Sequence, residues 1–197
     1  MMTNSAISHH SFVRTGIEGL LLIESRLFPD SRGSFCEIYR ESVFKEAGIS
    51  KPFVQMNQSV SHFGVLRGLH FQKKFPQGKY IRAARGSIFD VAVDLRPGSK
   101  TFGKWKGFVL SEENRASLYV PRGFAHGFLA LAENTCVTYF CDEYYHPEDE
   151  GGILWNDPDL DIRWPHLGPE APSPILSAKD AALPGFKRFL EDPPGWR

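Results

Sequence analysis

The chain has 197 residues, enough for one well-buried core and short for two. Lysine plus arginine equals aspartate plus glutamate at 23 each, so no overall charge recruits nucleic acid or a membrane surface. Three cysteines, Cys36, Cys136 and Cys141, form no Cys-x-x-Cys pair; this excludes a disulfide framework and reads as reduced thiols in a cytoplasmic protein.

Residues 1–11, with His9 and His10, read as a flexible polar arm ahead of a single domain over 12–197. The early apolar run at 20–23 is too short for a signal peptide or a membrane span. Short β-rich segments are expected at 20–24, 34–39, 53–59, 65–72, 79–84, 87–95, 105–110, 117–120, 124–131 and 135–141. Gly33, Gly64, Gly86, Pro97-Gly98, Pro121 and Gly123 punctuate them. Strands this short and this regularly spaced predict an all-β sandwich or barrel. Helical signals are few: 41–47, stopped by Gly48, and one turn at 111–113. Along 88–95, Phe89, Val91, Val93 and Leu95 alternate with Ile88, Asp90, Ala92 and Asp94. The two acids require that face either to be solvated or to line a polar cavity. After Gly151, prolines with Trp155, Trp164 and Trp196 predict an irregular segment wrapped over the barrel. Asn57-Gln58-Ser59 fits the glycosylation pattern, which carries little meaning without a secretion signal.

Six basic residues and no acid lie between Arg67 and Phe89, a local excess that suits either a small anionic ligand or a lysine-protected edge strand. Within it runs Arg67-Gly68-Leu69-His70-Phe71-Gln72, followed by Gln77-Gly78-Lys79. Strand alternation puts Arg67 and His70 on opposite faces unless Gly68 marks a bulge. A second histidine, His126, lies in Gly123-Phe124-Ala125-His126-Gly127-Phe128. The two segments resemble the paired motifs of the cupin superfamily, whose fold is a jelly-roll β-barrel. Metal-binding cupins carry His-x-His and a downstream glutamate in the first motif. Here Gln72 replaces the second histidine, too few ligands remain for a stable site, and no metal or other cofactor is expected.

A more specific resemblance rests on motifs met in order. They are Arg32-Gly33 with Phe35 and Glu37, Gln55-Met56-Asn57-Gln58-Ser59, the two histidine segments, Phe89-Asp90-Val91-Ala92-Val93-Asp94 and Thr101-Phe102-Gly103. Glu150-Gly151-Gly152-Ile153, Trp155-Asn156-Asp157 and Leu176-Ser177-Ala178-Lys179-Asp180 complete the series. Over 17–185 the chain resembles the dTDP-4-dehydrorhamnose 3,5-epimerases, isomerases of a nucleotide-linked 4-ketosugar. The resemblance implies His70 as base, Asp180 as its orienting partner, Tyr139 as the acid across the ring and Lys79 facing the enolate. It implies Arg32, Glu37, Gln55, Asn57, Arg67, His126, Glu150 and Lys179 as contacts to the sugar nucleotide, with a homodimer in which the early strands reach the second subunit. By themselves Tyr139 also reads as a core aromatic and Asp180 as a helix-start residue after Ser177. Phe140 departs from the family, which usually has lysine there. A C3-only epimerase and a non-catalytic sugar-nucleotide-binding cupin are the alternatives; a metal-dependent cupin oxygenase is disfavoured by Gln72.

Overall fold

The structure is a computed structural model and describes residues 9–169 and 173–196. Thirteen strands, three short α-helices and one 3-10 turn (Pro147–Asp149) appear among them. The chain opens with β1 (His10–Arg14), β2 (Leu21–Ser25), β3 (Leu27–Asp30), β4 (Gly33–Cys36) and α1 (Glu41–Glu46). It continues through β5 (Gln55–Ser61), β6 (Leu66–Gln72), β7 (Lys79–Arg85), β8 (Ser87–Asp94) and β9 (Trp105–Ser111). Next come β10 (Ala116–Val120), β11 (Phe124–Ala130), β12 (Thr135–Cys141) and β13 (Glu150–Gly152), then α2 (Ala178–Ala181) and α3 (Phe186–Glu191).

The strands form an antiparallel two-layer jelly roll. One sheet has the order β1-β2-β10-β7-β12-β5 and the other β13-β6-β11-β8-β9, with β3 and β4 apart as a hairpin. Between the layers, Ile81, Leu118 and Val137 of the first sheet meet Ile88, Ala92, Leu110 and Phe128 of the second. The outer faces are also covered. Phe71, Val91 and Val93 lie under Ile153, Leu160, Phe186 and Phe189 of the C-terminal segment, while Ile23 and Tyr80 lie under Phe44 of α1. Covering on both faces explains why every residue of β11 is buried and why no clean polar alternation marks that strand.

The expected strands are present, with shifted ends. Of the arm expected over 1–11, residues 1–8 lie outside the described residues, while His10 and Ser11 belong to β1 and pair with Ser25 and Glu24. β1, β3, β13 and α3 had no distinct pattern. The turn at 111–113 is not helical; Ser111 and Asn114 cap one another's amide nitrogens across the β9–β10 turn. Asp90 shares the inward face with Ile88 and Ala92, so the acid-bearing face lines the barrel interior and is not solvated. Among the described residues no helix is long and apolar enough to cross a membrane.

Gly68 sets the register that matters most. His126 pairs with His70 but Phe128 pairs with Arg67, so β6 carries one extra residue against β11. Gly68 has a positive φ of 110°, and a Cβ there would stand 2.6 Å from the Gly127 Cα and 2.7 Å from the His126 carbonyl oxygen. We expect Gly68→Ala to lose about 3 kcal/mol from overpacking and backbone strain. A urea midpoint equal to that of the wild type would contradict this account of the bulge.

Candidate active site

The bulge turns Arg67 and His70 onto one face, where they line a cavity of about 390 Å³ inside the barrel. The inward residues of β5 contribute Gln55, Asn57 and Ser59, with Met56, Gln58 and Val60 pointing out. β7 and β12 add Lys79 and Tyr139, and β11 adds His126. The remaining wall comes from the irregular C-terminal segment. Backbone bonds between Leu66 and Ile175 and between Ile175 and Gly64 fasten that segment to the start of β6. Ser177 then caps α2 by accepting from the Asp180 amide at 3.0 Å, which carries Asp180 to His70. β13 pairs with β6, with Gly152 opposite His70 and Glu150 opposite Gln72. A Cβ on Gly152 would stand 2.7 Å from the Leu69 carbonyl oxygen, so the close approach that delivers Glu150 requires glycine.

His70 Nε2 lies 2.5 Å from Asp180 Oδ1, and its Nδ1 lies 3.8 Å from Glu150 Oε1. The buried Asp180 carboxylate accepts the Nε2 proton, leaving the Nδ1 lone pair free. Burial lowers the His70 pKa; Asp180 and Glu150 oppose that shift without cancelling it, so the ring is neutral at pH 7. Tyr139 shifts the other way, because burial raises its phenol above the usual value and keeps it protonated. Lys79 is lowered by burial against the attraction of Cys141, Glu150 and Asp90. Burial raises the Glu150 carboxyl, but hydrogen bonds from Lys179 and Tyr145 bring it below its ordinary value.

All the site residues expected from the sequence line this cavity except Arg32 and Glu37. Arg32 stands at the tip of the β3–β4 hairpin, 88% exposed and paired with Asp30. Glu37 pairs with Arg40 and lies 3.4 Å from His10. Three contributors escaped the sequence reading. Ser61 accepts from Arg67 Nε at 3.1 Å. Asp90, fully buried, bonds His126 Nε2 at 2.9 Å; it stood in the sequence as an acid on an apolar face within a family motif, with no role attached. Tyr145 donates to Glu150 at 2.6 Å from an aperiodic stretch that gave no signal. Phe140 turns away from the cavity and packs against Tyr39, Phe53 and Tyr80, so the departure at this position leaves the site untouched. Gln72 is committed to backbone: it donates to the Phe75 and Tyr144 carbonyls and accepts from the His146 amide.

A neutral imidazole on one sheet, a protonated phenol on the facing sheet and the Lys79 amino group in the same cavity define a cupin-type barrel equipped for proton transfer. The family model of dTDP-4-dehydrorhamnose 3,5-epimerase matches residues 14–188. A relative of that name from Methanothermobacter thermautotrophicus is 53% identical over 78% of this chain and 83% of its own. The Legionella pneumophila enzyme in complex with dTDP-4-keto-L-rhamnose is 46% identical, covers 90% of this chain and 93% of that one, and has a TM-score of 0.85. A 3'-monoepimerase from Streptomyces bikiniensis in complex with dTDP-quinovose is 35% identical over 89% of this chain and 87% of that one, with a TM-score of 0.81. The chain belongs to the dTDP-4-dehydrorhamnose 3,5-epimerase family and is an isomerase.

Asp180→Asn removes the attraction that partly offsets burial at His70. The His70 pKa should therefore fall further below 6.5 in that variant, as read by a nitrogen-15 NMR titration of the ring. A rise would show that Asp180 does not act on the imidazole in this way.

Proposed function

We propose that the chain inverts C3 and C5 of a dTDP-4-keto-6-deoxy-hexose, on the route to dTDP-L-rhamnose, with 12–197 acting as one domain in the cytoplasm. The reading is carried by His70 and Tyr139 standing on facing sheets of one cavity. The C4 ketone acidifies the neighbouring C–H bonds. His70 Nδ1 takes such a proton, and Asp180 holds the Nε2 proton in place and stabilises the imidazolium. The Lys79 ammonium faces the enolate oxygen, where one oriented donor contributes about 3 kcal/mol. Tyr139 returns its phenolic proton to the opposite face of the carbon, which completes one inversion. Every step is a proton transfer. No metal or other cofactor is needed, and the commitment of Gln72 to backbone supports this.

Arg67 meets the diphosphate with the guanidinium edge left free by Ser61. Gln55, Asn57, His126, Glu150 and Lys179 hold the rest of the sugar nucleotide. Arg32 and Glu37 reach a neighbouring cavity in a homodimer, a reading supported by the exposed hairpin on which Phe35 is 65% accessible.

In deuterated solvent with a chelator present, the wild type should place deuterium at both C3 and C5. Tyr139→Phe should still exchange but lose most inversion, because the enolate is then reprotonated by His70. Exchange at C3 alone in the wild type would favour a C3-only epimerase, the reaction class of the Streptomyces bikiniensis relative. Tight dTDP-sugar binding without exchange would favour a non-catalytic module, and turnover that requires added iron or manganese would overturn the metal-free mechanism. The dimer has its own test. Sedimentation at micromolar concentration should show two chains, and Arg32→Ala should raise the dissociation constant for dTDP about tenfold, in line with loss of a charged hydrogen bond. A monomer, or an unchanged constant, removes Arg32 from the site.

A further inference from the structure

One base and one acid account for one inversion. Afterwards His70 holds the proton it abstracted and Tyr139 lacks the one it gave. If the same pair is to invert a second carbon while the sugar stays bound, a proton must leave His70 and one must reach Tyr139. The cavity holds a bridge suited to that reset. Glu150 turns Oε1 toward His70 Nδ1 at 3.8 Å, while its Oε2 accepts the Tyr145 hydroxyl at 2.6 Å and the Lys179 ammonium. Tyr145 lines the same cavity as Tyr139 and is 48% exposed, so it borders both the site and bulk water. Its backbone is fixed there by the amide bond to Gln55 Oε1 at 3.0 Å. Lys179 already gives Glu150 a charged partner, so the Tyr145 hydroxyl is a second donor on the same oxygen and carries a proton it can pass on.

We infer that Tyr145, acting through Glu150, resets the proton balance between the two inversions and so decides whether the sugar leaves inverted once or twice. The inference rests on the epimerase mechanism above. The Nδ1 proton of the imidazolium passes to Glu150 Oε1, giving neutral His70 and a carboxylic acid. Tyr145 gives its hydroxyl proton, through cavity water, to the Tyr139 phenolate, and the Glu150 proton, brought to the Tyr145 side by rotation of the carboxyl group, takes its place. Glu150 ends as carboxylate, both tyrosines end protonated, and no electrons change hands. The Nε2–H bond to Asp180 is kept throughout, so the tautomer of the base is restored.

Tyr145→Phe keeps the ring and removes only the proton. With saturating dTDP-ketosugar, products are sampled early in turnover, reduced with borohydride and separated by NMR into singly and doubly inverted sugars. The ratio of singly to doubly inverted product should rise about tenfold, over and above any fall in the first inversion, as expected for loss of a relay that water partly replaces. An unchanged ratio, or an equal fall in both inversions, would overturn the inference and leave the reset to bulk water. Absence of any inversion by the wild type would instead defeat the epimerase reading itself, so the two failures are distinct.

Discussion

Two glycines in contact hold this site together. Where β6 crosses β11, Gly68 lies against Gly127 so closely that no side chain fits on either, and the extra residue at that point changes the phase of β6. Upstream of it Arg67 faces the cavity, and downstream His70 faces it too. Without the slip, regular alternation would send one of them into the outer layer beneath the C-terminal segment. Arg67 and His70 therefore share a wall because backbone there approaches backbone at a distance that only glycine permits.

The rest of the chemistry follows from opposed effects of burial. The low-dielectric interior drives the imidazole toward its neutral form and the phenol toward its protonated form, the states a base and an acid need at pH 7. Asp180 and Glu150 keep the imidazole from becoming too weak a base. Covering both faces of each sheet makes this environment available: α1 with its aromatic cluster closes one outer surface and the segment after β13 closes the other. That second segment also delivers Asp180, so the cover and the site are one piece of chain.

Much of this could be read from residue order. Strand positions follow from short β-branched runs between glycines and prolines, and the cavity residues on β5, β7 and β12 follow from motif resemblance. Other features depend on contacts between distant segments. Asp90 looked ambiguous because its partner His126 lies 36 positions away on the adjacent strand. Three-residue β13 has no periodicity to detect; it is a strand only because β6 offers it an edge. Arg32 and Glu37 were grouped with the site by resemblance, and within one chain they stand apart from it.

Gln72 has a consequence for what this barrel can become. Its carboxamide supplies two donors and one acceptor to three backbone groups from two different loops, at Phe75, Tyr144 and His146. An imidazole has two ring nitrogens, and one of them would be spent on a metal ion. Installing histidine there to rebuild a metal centre would therefore strand at least two of these backbone groups and loosen both loops at the cavity rim. The same glutamine works as a splice between loops, so a single substitution at this position disturbs both of them at once.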